Sequence, residues 1–165
     1  MEDNNQTTSS TIKIFENPLK ETVVYVLEEW AMFLVDDLSL EDAKNMVPGD
    51  GKVYLVTINY TGVINGVLNI VCPENVSALL AQTLLCLDPD TVVEPDLKRD
   101  AVKELGNIIS GNFLVNAFGE DTVFELPDIV VEKVDHDAAF ESLNDKAVFC
   151  SADDELLAVS FQIHT

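Results

Sequence analysis

Between Gly51 and Val71 the chain carries no aspartate or glutamate, although 30 of its 165 residues are acidic. Within this stretch Tyr54, Val56, Ile58 and Tyr60 fall at alternate positions, on one face. Ile64, Leu68, Ile70 and Cys72 repeat the pattern on the way back. A period of two sustained in this way predicts a β-hairpin over Lys52 to Cys72, with Thr61-Gly62 as its turn. One face is apolar and needs cover. The other carries Thr57, Asn59, Asn65 and Asn69, polar but uncharged. Two readings follow: a central sheet partly covered by the chain's own helices, or a protein interface, whose core is depleted of charge.

The cover is predicted from three segments of helical period. Asn17-Pro18 reads as an N-cap and first helical residue. Leu19, Val23, Val26, Leu27, Trp30, Phe33 and Leu34 then make one apolar stripe, fading near Asp36-Asp37. Met46 to Gly51 reads as a loop. Pro73 opens a second helix with Val76, Leu79, Leu80, Thr83, Leu84 and Leu87 on one side, ended by Asp88-Pro89. A third runs from about Leu97 to Ala117, with Asp96 as N-cap and Gly119 as the stop. Strands follow: one through Ile129, Val131 and Val134, then Ala147–Cys150 paired with Leu156–Ile163 across the acidic, solvated turn Ser151 to Glu155. This order predicts an α+β fold, helices packed on a mostly antiparallel sheet. At ~150 residues per domain the length fits one domain over 12–165 after a flexible N-terminal tail over 1–11.

Charge and composition narrow the function. The net charge of −21 argues against nucleic acid, which needs a Lys/Arg surface, and against anionic membranes. The apolar fraction of 47% is too high for a disordered acidic chain. No apolar run reaches a spanning length, and Met1 to Thr11 is unlike a signal peptide, so the expected compartment is the cytoplasm. Cys72, Cys86 and Cys150 are odd in number and far apart, without a CxxC, and read as core thiols.

Most catalytic patterns fail. His136 lies between Asp135 and Asp137 in a predicted loop, His164 is next to the C-terminus, and there is no GxSxG. Gly49-Asp50-Gly51-Lys52 is too short for a P-loop. Asp88-Pro89-Asp90 begins like a calcium loop, but Val92 and Val93 stand where an oxygen ligand and a glycine are required. Asp36-Asp37 and Asp153-Asp154 read as solvated surface.

The third helix differs. On a wheel of about 100° per residue, Ala101, Val102, Leu105, Ile108 and Ile109 define the core face. Asp100, Glu104, Asn107 and Gly111 fall within about 60° of one another, facing away from it. A carboxylate and a carboxamide thus project side by side from one rigid support, and the glycine leaves a gap where another backbone could approach. Asn112 and Asn116 fall on the core side and mark either fraying or a buried polar contact.

The run Asp100-Ala-Val-Lys-Glu104-Leu-Gly-Asn107-Ile-Ile-Ser-Gly111-Asn112, followed by Pro127 with nineteen residues between it and Asn107, resembles the signature of the CheC/CheX/FliY chemotaxis phosphatases. That signature is Asp or Ser, Glu and Asn in this register, with a later proline. Thr61 to Leu84 resembles the CheX hairpin leading into its second helix, and Phe124 to Val131 its Pro-led strand. The motif occurs once, as in CheX, whereas CheC carries it twice. The resemblance implies a CheC-like α+β fold and a phosphatase hydrolysing the phosphoaspartate of a CheY-type response regulator. It implies that Asn107 orients the attacking water and Glu104 engages the partner's active-site lysine. Asp100, Gly111 and Pro127 would support the motif or contact the partner. No cofactor of its own is implied; Mg²⁺ is expected in the response regulator. CheX relatives form dimers through their sheets, so a homodimer is also implied. The alternative is a non-catalytic CheX-like binding module docking on a receiver domain or flagellar motor component. A third is an acidic structural domain with a coincidental motif. Intact Glu104 and Asn107 favour the enzyme, because an adaptor has no chemical need for both.

Overall fold

The computed structural model describes residues 17–164, so the tail expected over 1–11 lies outside the described residues. Helix α1 is described from residue 17 and ends in a π-helical stretch, Val26–Trp30. Then follow β1 (Val35–Asp37), α2 (Leu40–Asn45), β2 (Lys52–Gly62), β3 (Asn65–Pro73), α3 (Glu74–Leu85) and α4 (Pro95–Phe118). The chain closes with β4 (Phe124–Asp135), α5 (His136–Glu141), β5 (Val148–Ala152) and β6 (Glu155–His164). The six strands form one sheet in the order β1-β5-β6-β3-β2-β4, antiparallel at every pairing.

The hairpin is the centre of that sheet. Each of its strands has a neighbour on both sides, β6 beyond β3 and β4 beyond β2. Tyr54, Val56, Ile58, Tyr60, Leu68 and Ile70 are buried under α1, α3 and α4, in one core with Val23, Leu27, Val76, Leu80, Leu105, Ile109 and Phe113. The opposite face is partly covered: Val53, Val71 and Ala158 pack against Ala139 of α5. Asn69 donates there to the Ser142 carbonyl at 3.2 Å, fixing the segment after α5. This central position offers a reason for the missing acids without an intermolecular contact: a carboxylate on the helix-covered face would be desolvated, and the other face is partly covered by α5.

Several boundaries differ from the sequence expectation. Thr61-Gly62 is not the turn. Both residues still pair with β4, Thr61 opposite Glu125 and Gly62 opposite Phe124, and the connection is Val63-Ile64. A Cβ at Gly62 would stand 2.7 Å from both Phe124 Cδ1 and the Val123 carbonyl, so this glycine permits a close strand approach rather than a turn.

The first helix stops at Trp30, not near Asp36-Asp37. The π-helical stretch rotates the stripe, leaving Trp30 and Leu34 exposed while Phe33 is buried just beyond the helix. Asp36 and Asp37 then lie in the edge strand β1, paired with β5. The acidic turn after β5 is not merely solvated. Asp153 and Asp154 have φ of 48° and 67°, and Asp153 Oδ1 accepts the Leu34 N–H at 2.8 Å while its own N–H donates to the Leu34 carbonyl at 3.0 Å. This exchange pins β1 to the sheet.

The cysteines divide. Cys72 and Cys150 are buried, and burial pushes both thiols up, that of Cys150 to about 12. Cys86 is exposed, against expectation, because it caps α3 in the left-handed region at φ 51°.

Candidate functional site

Helix α4 carries the polar row, and its start is set by Pro95. Proline has no N–H to lose at the first helical position, so Glu94 is the N-cap and Asp96 sits in the first turn instead of capping it. Gly119, with φ 92°, ends the helix. Ala101, Val102, Leu105, Gly106, Ile109, Ser110, Phe113 and Leu114 are buried. A Cβ on Gly106 would meet Ile58 Cδ1 at 2.9 Å and Val56 Cγ1 at 3.1 Å, so α4 lies against β2 at this point.

Polar contacts fix the helix along its length. Near its start, Lys98 Nζ and Glu74 Oε1 are 2.7 Å apart, and Lys133 of β4 reaches Glu74 Oε2 at 2.5 Å. Hydrogen bonds from Lys133 and then Lys98 hold the Glu74 carboxyl at about 2, well below the usual carboxylate range. The Arg99 guanidinium donates to the Val131 carbonyl of β4. In the middle, the Ser110 hydroxyl folds back onto the Gly106 carbonyl at 2.7 Å. At the far end, the Phe113 ring meets Phe161 edge-on at 4.7 Å, and Asn116 Nδ2 reaches Thr22 Oγ1 of α1 at 3.3 Å. Asn116 is therefore a contact between helices. Asn112 donates to its own Ile108 carbonyl and marks no separate site.

On this fixed support Asp100, Glu104 and Asn107 are exposed in one row. No hydrogen bond or ion pair within the described chain engages their side chains. Gly111, half-buried at the end of the row, has nothing within 4 Å of an added Cβ. The helix thus presents an unpaired carboxylate and an unpaired carboxamide one turn apart, with open space beside them. Pro127 belongs to a different element. It lies on the edge strand β4 at a register shift, where Asn59 faces Asp128 and Thr61 faces Glu125, leaving Leu126 and Pro127 opposite Tyr60. A bulge suits a residue that has no ladder N–H to give.

The remaining sequence candidates fall elsewhere. His136 is not in a loop: it opens α5, is 3% exposed, and lies against Phe140 with ring centroids 4.6 Å apart. His164 ends β6 on the surface. Among the described residues no group of three or more His, Cys, Asp and Glu could hold a metal ion, and no helix is long and apolar enough to cross a membrane. The anchoring of α4 through Glu74, Lys133 and Arg99 was not foreseen, because nothing local in the sequence marks the pairing of residues so far apart.

No curated protein matches the chain by sequence. Among solved structures, the chain is similar to the chemotaxis protein CheX from Desulfovibrio desulfuricans, at 16% identity and TM-score 0.64 over 91% of this chain and 99% of that one. It is also similar to a chain of the CheX–CheY–BeF3–Mg complex from Borrelia burgdorferi, at 17% identity and TM-score 0.60, covering 92% and 98%. A third is Thermotoga maritima FliY, at 14% identity and TM-score 0.56, covering 96% and 91%. The fold is the CheC-like α+β arrangement, as expected from the sequence. The model of the family described as chemotaxis phosphatase CheX matches residues 54–150, from the central hairpin through α4 into β5. With more than half of the sequence matched, the chain belongs to the CheX family of chemotaxis phosphatases.

Proposed function

We propose that this protein hydrolyses the phosphoaspartate of a CheY-type response regulator, with α4 as the catalytic element. The observation that carries the reading is the exposed pair Glu104 and Asn107, unpaired within the described chain and mounted on a helix anchored at both ends. Membership of the CheX family supports it, as does likeness to a chain of a complex that holds CheX and CheY together.

Phosphoryl hydrolysis needs an in-line water more than covalent help from the enzyme. The Asn107 carboxamide both donates and accepts, so it holds a water beside the phosphoryl group without adding charge to an already anionic centre. Glu104, negative and one turn away, engages the active-site lysine of the partner in a charge-assisted hydrogen bond. That contact sets the depth at which Asn107 enters. The open space at Gly111 admits the partner's backbone, and Asp100 extends the contact at the start of the row. The Mg²⁺ that screens the phosphoryl charge belongs to the response regulator.

The test is loss of phosphate from a receiver domain phosphorylated by a small-molecule donor, with and without this protein. Wild type accelerates the loss. Asn107→Ala lowers turnover by about 10²-fold while binding persists, and Glu104→Ala weakens both binding and turnover. No acceleration by wild type, with binding intact, leaves the binding-module reading in its place.

A further inference from the structure

Among the described residues most of the positive charge is engaged inside the molecule. Lys20, Lys52, Lys98 and Lys133 each pair with a carboxylate, and Arg99 donates to the Val131 carbonyl. Two lysines, Lys44 and Lys103, enter no hydrogen bond or ion pair within the described chain. In a chain with 30 acids and 9 bases, a lysine left open is the exception. Lys44 is in the last turn of α2, which lies against β5, away from the β2 and β4 end of the sheet where α4 packs. Lys103 is on α4 itself, exposed, one turn before Asn107.

Its position makes Lys103 part of the working face. On a wheel of about 100° per residue it lies about 40° from Asn107. Arg99, one turn before it, is tied to Val131 of β4, so Lys103 stands on the flank of the row nearer β4. Asp100 is also one turn away and leaves the ammonium group unengaged. Side chains four apart on a helix start about 5–6 Å from each other, a distance that the flexible four-carbon stem of lysine covers. An anionic oxygen beside the Asn107 carboxamide is therefore within reach of Lys103. Asp100 and Glu104 alone would give the row two negative charges, a poor match for an anionic pocket. Lys103 sets a positive charge next to Asn107, and such complementarity at a contact confers specificity.

We propose that Lys103 pairs with the phosphoryl group of the response regulator in a charge-assisted hydrogen bond, beside the water held by Asn107, and so makes binding selective for the phosphorylated partner. This rests on the phosphatase reading for the identity of the partner. The contact forms at short range, after docking, and slows dissociation rather than steering the encounter.

The probe is a CheY-type receiver domain titrated calorimetrically in two forms, with Mg²⁺ alone and with beryllofluoride and Mg²⁺, the beryllofluoride standing in for the phosphoryl group. Lys103→Met removes the charge and keeps the length of the stem. It raises Kd for the beryllofluoride form about tenfold and leaves Kd for the Mg²⁺ form near wild type, with thermal unfolding unchanged. Lys103→Arg restores the preference. Lys44→Met, the same change of net charge on another element, alters neither constant.

An unchanged Kd for the beryllofluoride form in Lys103→Met overturns the proposal. So does an equal rise for both forms, which assigns Lys103 to a carboxylate of the partner rather than to its phosphoryl group. An equal loss in Lys44→Met also overturns it, because the effect is then one of net charge. The two readings separate cleanly. A preference that depends on Lys103, without hydrolysis by wild type, keeps the contact and removes the phosphatase, while hydrolysis with the wild-type preference in Lys103→Met does the reverse.

Discussion

A Cβ at Gly106 would lie 2.9 Å from Ile58 Cδ1, whereas one at Gly111 would find nothing within 4 Å. The two glycines of α4 are therefore present for different reasons. Gly106→Ala overpacks the contact between α4 and β2 and costs about 1–3 kcal/mol. Because the polar row rides on that contact, the phosphatase activity proposed for it is expected to fall with stability; chemical denaturation and turnover measured together check both. Gly111→Ala stabilises the helix by roughly 0.5–1 kcal/mol, since alanine is the better helix former. Its cost appears in weaker binding of the beryllofluoride-loaded receiver, if the open space admits the partner's backbone. Stability and binding moving in the same direction would remove that role from Gly111. The thiols offer a separate check: in the folded protein Cys86 reacts with a thiol reagent while Cys72 and Cys150 are protected until denaturant is added. Glu104, Asn107 and Gly111 were legible in the sequence because helical period is a local property. The packing reason for Gly106 was not, because its neighbours Val56 and Ile58 come from a strand about fifty residues earlier.

At the scale of elements, Glu74 joins three of them. It stands at the start of α3 and pairs with Lys98 of α4 and Lys133 of β4. Its carboxyl is held at about 2, below the ordinary 4.5, so the folded state binds its proton less readily than the unfolded chain. The resulting stabilisation is fully present above about 4.5 and is lost as pH falls toward about 2. The carboxylate is about one-third open to solvent, and screening limits the effect to the order of 1–2 kcal/mol. Glu74→Gln therefore lowers stability by that amount at neutral pH, and the gap from wild type closes by pH 2, as followed by denaturant titration across the acid range. A gap independent of pH would mean that packing, not charge, carries the contact. Helices α1, α3 and α4 were readable from period and from Pro18, Pro73 and Gly119. Strand β1 and helix α5 were not, since each is short and takes its conformation from neighbours: β1 from β5 and Asp153, α5 from the outer face of β2 and β3.

For the whole molecule, the charge sets how it meets a partner. Two acidic surfaces repel weakly at low salt, and salt screens the repulsion. Association with the beryllofluoride-loaded receiver is expected to hold or quicken as ionic strength rises from about 0.01 to 0.15 M. A rate that falls with salt would reveal attractive steering instead. The homodimer is a separate proposal: sedimentation at high micromolar concentration should show a species of twice the 18.2 kDa chain mass. Only the single-chain mass would remove it. With β2 and β3 both paired on each side, any edge-to-edge contact would have to use β1 or β4.

By itself the sequence determined the class of fold, the hairpin, the three covering helices and the face on which Asp100, Glu104, Asn107 and Gly111 stand. Each of these depends on the spacing of residues a few positions apart, which secondary structure turns directly into a face. Tertiary structure alone decided the strand order, the central place of the acid-free hairpin, the burial of His136 and the bulge at Pro127. These depend on which distant segments meet, and that choice is made by the burial of the whole apolar surface at once rather than by any local pattern.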